Sequence, residues 1–180
     1  MRSTKRYSNV TFSRRVDHEG GAHREARALA GPRVCDRCGA RYERRRWALP
    51  PGAGFRTLDL RPGAGERVLC PGCKRVDSGV PSGYLTLEGA FAMAHADELV
   101  ALLRNEAAEA LADNPTARVI EWERGPRRLR LTTTTVHLAK RLGRAVARAC
   151  QGEIRYDFSH ENQVARVNWR RPAATRRAAR

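Results

Sequence analysis

The sequence is short of acidic residues: 19 Asp and Glu stand against 35 Lys and Arg, leaving a formal net charge of +16 and a pI near 11.1. Almost all of the excess is arginine. Such a balance excludes nothing about the fold, but its field concentrates polyanions around the chain and fits a nucleic-acid partner. Long apolar runs are missing as well. None approaches the ~20 residues that cross a bilayer, and the N-terminal MRSTKRYSNVTFSRR lacks the apolar core of a secretory signal. A cytoplasmic protein with no membrane partner is expected. Recognisable catalytic sets are also lacking: there is no Ser/His/Asp pattern, no phosphate-binding glycine loop and no paired carboxylate in a familiar context. His95, His137 and His160 fall where surface or capping roles suffice. A non-catalytic protein without a small-molecule substrate is therefore predicted.

What charge there is lies unevenly. Residues 1–75 hold 18 basic and 7 acidic side chains, residues 76–170 hold 13 and 12, and residues 171–180 hold 4 and 0. A nearly neutral middle between two basic ends predicts a self-sufficient domain with binding segments attached. At 180 residues the chain has room for one modest domain and a small module. The division expected is a basic disordered arm over 1–33, a zinc ribbon with a long basic loop over 34–76, a folded domain over 77–170 and a basic tail over 171–180.

Five cysteines in a reducing compartment are poor disulfide formers, so close pairs are read first as metal ligands. Cys35 and Cys38 sit in VCDRCGA, and Cys70 and Cys73 in LCPGCKR. Each pair has the knuckle form in which a tight turn aims two thiolates at one ion, and Gly39 permits the left-handed turn after the first. Together they predict one structural Zn2+ in a closed four-cysteine site, with no open position for a reactive water. A redox CxxC should open a helix, and neither pair is expected to do so. His18 and His23 have spacings that fit no ligand pattern, and Cys150 reads as a small buried apolar residue. Between the knuckles, the loop sets Arg41, Arg44, Arg45 and Arg46 around Tyr42 and Trp47, with Phe55 and two PGAG tetrapeptides further on. Cations interleaved with rings suit phosphate contacts beside base stacking. The competing reading is that Trp47 packs over the metal site.

From Ser82 onward the pattern becomes orderly. LTLEGAFAMAHADELVALLRNEAAEALADNP predicts one long helix starting near Thr86 or Glu88 and stopped at Asn114-Pro115. A hairpin turning at Gly125-Pro126, a threonine-capped helix ended by Gly152, and a second hairpin follow. The fold class expected is α+β: a ribbon followed by an α-β-β-α-β-β domain, a four-stranded antiparallel sheet with two helices on one face. Ile120, Trp122, Leu129, Leu131, Ile154, Tyr156, Phe158, Val167 and Trp169 share the core face by parity, leaving a mixed, solvated face outside. Two α-β-β units look like a duplication, with Leu85-Thr86 echoing Leu131-Thr132. On the second helix, Leu138, Leu142, Ala145, Val146 and Ala149 form the buried stripe. His137, Arg141, Arg144 and Arg148 align on another face beside Lys140, and Thr133 and Thr134 lie at an N-terminus able to seat phosphate. An ordinary capped amphipathic helix is the competing reading.

The motifs CxxCGA…RW…CPxCKR, GYLTLEGAF…H…DEL…LLRNE, LTTTTVHLAKRLGRAV…QGEIRYDF and ARVNWR, spread over most of 34–170, resemble a bacterial zinc-ribbon family. That family is in turn similar to the archaeal and eukaryotic adaptor for export of the large ribosomal subunit, the nonsense-mediated decay protein three family. The adaptor has more CxxC pairs and further β-rich domains. The resemblance implies Cys35, Cys38, Cys70 and Cys73 as zinc ligands and ribosomal RNA or the large subunit as partner. The chain departs from the bacterial pattern at Val136, where an acidic residue often stands. The function expected is a zinc-ribbon RNA-binding protein associated with the ribosome as an assembly or stress-linked factor. A DNA-associated zinc-ribbon transcription regulator is the alternative.

Overall fold

The computed structural model describes residues 29–50, 65–159 and 164–171. The expectations for the basic arm, the PGAG segment with Phe55, His18, His23, His160 and the final tail lie outside the described residues. The first sheet is built from four three-residue strands, β1 (Arg33–Cys35), β2 (Arg41–Glu43), β3 (Arg46–Ala48) and β4 (Glu66–Val68), in the order β3-β2-β1-β4. Strand β4 runs parallel to β1, and the other pairs are antiparallel. Ion pairs join its strands and turn, Arg33 to Glu66 at 2.8 Å and Arg67 to Asp36 at 2.5 Å, while Arg37 in the turn after β1 pairs with Asp77 of the helix that follows β4.

Helix α1 (Pro71–Ser78) begins at the second cysteine pair, contrary to the expectation that neither pair opens a helix. Cys70 is its N-cap, with its Sγ accepting from the Cys73 backbone N–H, and Pro71 occupies the first turn, where a missing N–H is harmless. The boundary drawn at 76/77 falls inside this helix. Gly72 brings α1 against the second domain: a Cβ there would stand 2.4 Å from the Pro115 carbonyl oxygen, so only glycine allows the approach. Arg75 Nη1 donates to the Thr134 carbonyl at 2.9 Å, and the buried Arg118 donates its Nε–H to Pro115 O at 2.8 Å along the same seam.

The second domain runs β5 (Gly83–Glu88), α2 (Ala90–Ala94), α3 (Ala96–Asp113), β6 (Val119–Arg124), β7 (Arg128–Thr133), α4 (Val136–Cys150), β8 (Glu153–Ser159) and β9 (Val164–Arg170). The sheet is five-stranded and mixed, ordered β6-β7-β5-β9-β8, rather than four-stranded and antiparallel. The correction comes from YLTLE, expected to start a helix. Leu85 and Leu87 are fully buried while Tyr84 and Thr86 turn outward, the period of a strand. Strand β5 is central, antiparallel to β7 and parallel to β9, so both of its edges are hydrogen-bonded. The echo between Leu85-Thr86 and Leu131-Thr132 belongs to strands: Leu85 stands directly opposite Leu131. Helix begins only after Gly89 (φ 100°), and His95 (φ −114°) divides it into α2 and α3.

Both long helices contribute to one core, in which Leu99 and Leu103 of α3 and Leu138, Leu142 and Val146 of α4 join Leu85, Leu87, Leu129, Leu131, Val167 and Trp169. Trp169 is fully buried and donates its Nε1–H to the Gln151 carbonyl at 2.7 Å. Four expected core members are outside it. Ile120 falls at the irregularity in the β6–β7 register, where Val119 packs on the core instead; Ala149 is exposed, and Tyr156 and Phe158 are 39% and 41% exposed. Tyr156 and Phe158 have the right parity, opposite Val167 and Ala165, but among the described residues β8 is an edge strand with no neighbour beyond it. Among the described residues no helix is long and apolar enough to cross a membrane.

Candidate metal centre and basic surfaces

The turn after Cys35 closes through the Cys35 N–H to the Ala40 carbonyl and the Gly39 N–H to the Cys35 carbonyl, with Gly39 at φ 68° as the knuckle requires. This turn and the start of α1 bring the Sγ atoms of Cys35, Cys38, Cys70 and Cys73 within 4.8 Å of one another. Cys35 and Cys73 are 3.7 Å apart, and Cys38 and Cys70 3.6 Å. Thiolates at about 2.3 Å from a tetrahedral ion stand about 3.8 Å from each other. The arrangement thus fits a four-coordinate ion before one is supplied. The Cys70 backbone N–H also points at Cys35 Sγ, at 3.3 Å, a donor that stabilises a thiolate. Hydrogen bonds from Cys38, then Cys70 and Cys73, push the Cys35 thiol far down, whereas contact with Cys35 foremost pushes Cys70 and Cys73 up. Sulfurs this close cannot all ionise unless a cation joins them, and the four cysteines can hold a metal ion.

Tyr42 and Trp47 do not await bases. They stand opposite each other on β2 and β3 with ring centroids 5.4 Å apart. Tyr42 is buried, and Trp47 packs against the cysteine cluster with Leu49 and Leu69. A small sheet has few other side chains with which to cover its metal site. The arginines between the two rings have the opposite fate. Arg44 and Arg45 are the two-residue turn of the β2–β3 hairpin, both left-handed (φ 50° and 63°), and Arg41, Arg44, Arg45 and Arg46 are all exposed. Among the described residues none of the four has a carboxylate partner. Left-handed backbone at two consecutive residues that are not glycine is uncommon and costly, and such outliers concentrate where function needs them.

The basic residues of the second domain divide into spent and unspent groups. Thr135 caps α4, accepting from the Leu138 N–H at 3.2 Å, but Thr133 and Thr134 are fully buried. Thr133 Oγ1 donates to the Thr135 carbonyl and Thr134 Oγ1 to the Thr116 carbonyl, which leaves neither hydroxyl for a phosphate. Arg141 is also removed from the expected contact set. It lies against Glu106 at 2.6 Å, Asp113 at 2.8 Å and Glu109 at 3.3 Å on α3, and Glu106 foremost, then Asp113, hold it more firmly protonated. Arg148 is 4.0 Å from Glu106. His137, Lys140 and Arg144 have no carboxylate partner among the described residues; His137 and Arg144 are exposed, and the Lys140 Nζ sits 5.0 Å from the centre of the Phe158 ring. His95 is engaged locally, with Glu98 at 3.1 Å and Phe91 beneath its ring. Missing β5 also meant missing Tyr84, which lies on the open sheet face between Arg130 and Arg166 with both guanidinium groups over its ring.

The class defined by fold and site is a four-cysteine ribbon able to hold a metal ion, seated by a short helix on a mixed five-stranded α+β domain. No family model, no curated protein and no solved structure matches the chain.

Proposed function

We propose that this is a zinc-ribbon RNA-binding protein of the cytoplasm that docks on ribosomal RNA or a ribosomal subunit as a non-catalytic assembly or stress-linked factor. The observation that carries the reading is the β2–β3 hairpin, where Arg44, Arg45 and Arg46 at the turn and Arg41 at its far end project without acidic partners among the described residues from a sheet held by the cysteine cluster. Guanidinium groups at a rigid tip suit phosphate forks, and burial of Tyr42 and Trp47 stiffens their base. Four thiolates favour zinc and close its coordination sphere, so the ion holds the turn in place rather than activating water. The resemblance in the motifs supports the ribosome as the particular polyanion.

The experiment is sedimentation of the tagged protein from a lysate through sucrose gradients at low and moderately high salt, beside an Arg44→Gln, Arg45→Gln, Arg46→Gln variant. Co-migration with a ribosomal subunit that persists at the higher salt and is lost in the variant is expected. Protein that stays at the top, or that duplex DNA displaces as readily as ribosomal RNA does, refutes the reading in favour of the DNA regulator.

A further inference from the structure

We infer that the α4–β8 edge is a second nucleic-acid contact, built to stack unpaired bases of single-stranded RNA on Tyr156 and Phe158 while His137, Lys140 and Arg144 face the phosphates. This inference rests on the RNA-binding reading and adds a site that the cysteine pairs and the arginine turn do not include.

The asymmetry of α4 carries the argument. The helix contains no Asp or Glu, so every charge along Val136–Cys150 is positive. On its α3 flank this is balanced: Arg141 meets three carboxylates and Arg148 approaches a fourth contact at Glu106. On its β8 flank no carboxylate balances the cations among the described residues. The β8 side chains on that side are Ile154, Tyr156 and Phe158, since Glu153, Arg155 and Asp157 point to the opposite face by strand alternation. Where the other flank has carboxylates, this one has two large exposed rings. Tyr156 and Phe158 are nearly parallel, 6° between planes and 6.1 Å between centroids. They are also, with Val80, the exposed large hydrophobic residues among those described.

Each property matches a demand of an unpaired strand. Parallel rings offer faces on which successive bases can lie, and base stacking on aromatic residues tolerates sequence because every base has a π face. Lys140 reaches the Phe158 ring, its Nζ 5.0 Å from the centre, and the exposed His137 and Arg144, three and four residues from it along α4, can follow a backbone that passes there. A duplex would use the cations but not the rings, because its bases are already stacked. A folded domain has little reason to keep two parallel rings exposed at its edge next to cations without a carboxylate partner among the described residues unless a polyanion with flat groups covers them.

The test uses the full-length, metal-loaded protein and fluorescence anisotropy with a labelled uridine dodecamer and a 16-base-pair RNA duplex. Tyr156→Leu with Phe158→Leu keeps the edge apolar while removing both π faces. It should weaken dodecamer binding about tenfold or more with an unchanged salt slope, and change duplex binding less than twofold. Phe158→Tyr, which keeps the ring, should bind as the wild type does. Lys140→Gln with Arg144→Gln should reduce the dodecamer salt slope by about 1.4. The inference is overturned if the leucine pair binds the dodecamer within twofold of wild type, or if it loses duplex binding equally. Either result leaves the RNA reading intact so long as the wild type still binds ribosomal RNA. Failure of the wild type to bind any of these RNAs would overturn both.

Discussion

Replacing Arg44-Arg45 by Asn-Gly should make the protein more stable and a weaker ligand of RNA, opposite signs from one substitution. The two residues are the whole turn between β2 and β3, closed by the Glu43–Arg46 pair, with φ 50° and 63°. That is the backbone of a type I′ turn, whose preferred sequence is Asn-Gly. A left-handed conformation costs a residue with a Cβ roughly 1–2 kcal/mol, and glycine returns about 0.5–1 kcal/mol of that through its larger entropy loss on folding. Arg45→Gly therefore stabilises the hairpin by about 1 kcal/mol. Arg44→Asn adds a few tenths, because asparagine tolerates the region better than arginine does. Two lost phosphate contacts should lower the slope of log affinity against log salt by about 1.4–1.8. Guanidinium unfolding of the metal-loaded protein reads the first quantity, and anisotropy against ribosomal RNA fragments over a salt series reads the second. An Arg44→Gln, Arg45→Gln control removes the charges but keeps both Cβ atoms, so its slope should fall with no gain in stability. If Asn-Gly is no more stable than the parent, the strain argument is wrong. If its slope is unchanged, the arginine turn is not a phosphate contact.

Four further outcomes are expected. Cys70→Ser removes a ligand while its hydroxyl can still cap α1, so metal release in a chromogenic chelator assay should be complete while the five-stranded domain still melts cooperatively; loss of both transitions would contradict the modular reading. Gly72→Ala should retain the metal but lower the midpoint of thermal unfolding, because its Cβ meets Pro115 at 2.4 Å; an unchanged midpoint would show that α1 does not need its seat. Arg141→Ala should cost about 1 kcal/mol, by leaving the largely buried Glu106 without its closest cation, yet leave the RNA salt slope unchanged; a reduced slope would return Arg141 to the binding surface. Trp169→Ala should cost about 3–5 kcal/mol, measured by denaturant unfolding, since the indole is fully buried and holds the Gln151 carbonyl at the end of α4.

The cysteine cluster, a threonine cap on α4 and the hairpin strands were legible because each is a local rule: two thiolates a turn apart, a hydroxyl before an amphipathic run, alternation across a short turn. The bulk charge and its concentration outside residues 76–170 were equally available from the chain itself. What needed tertiary structure is whatever depends on the neighbour. YLTLE has five residues of alternation that a following helical run absorbs in one dimension, and only pairing with β7 and β9 on both edges makes it the central strand. Parity placed Tyr156 and Phe158 on the correct face, but sheet order alone decides that, among the described residues, β8 has no strand beyond it and its rings are exposed. The arginines of α4 are alike in sequence; α3 neutralises one flank of that helix and leaves the other positive, because ion pairing acts through a few ångströms of space and not through spacing along the chain.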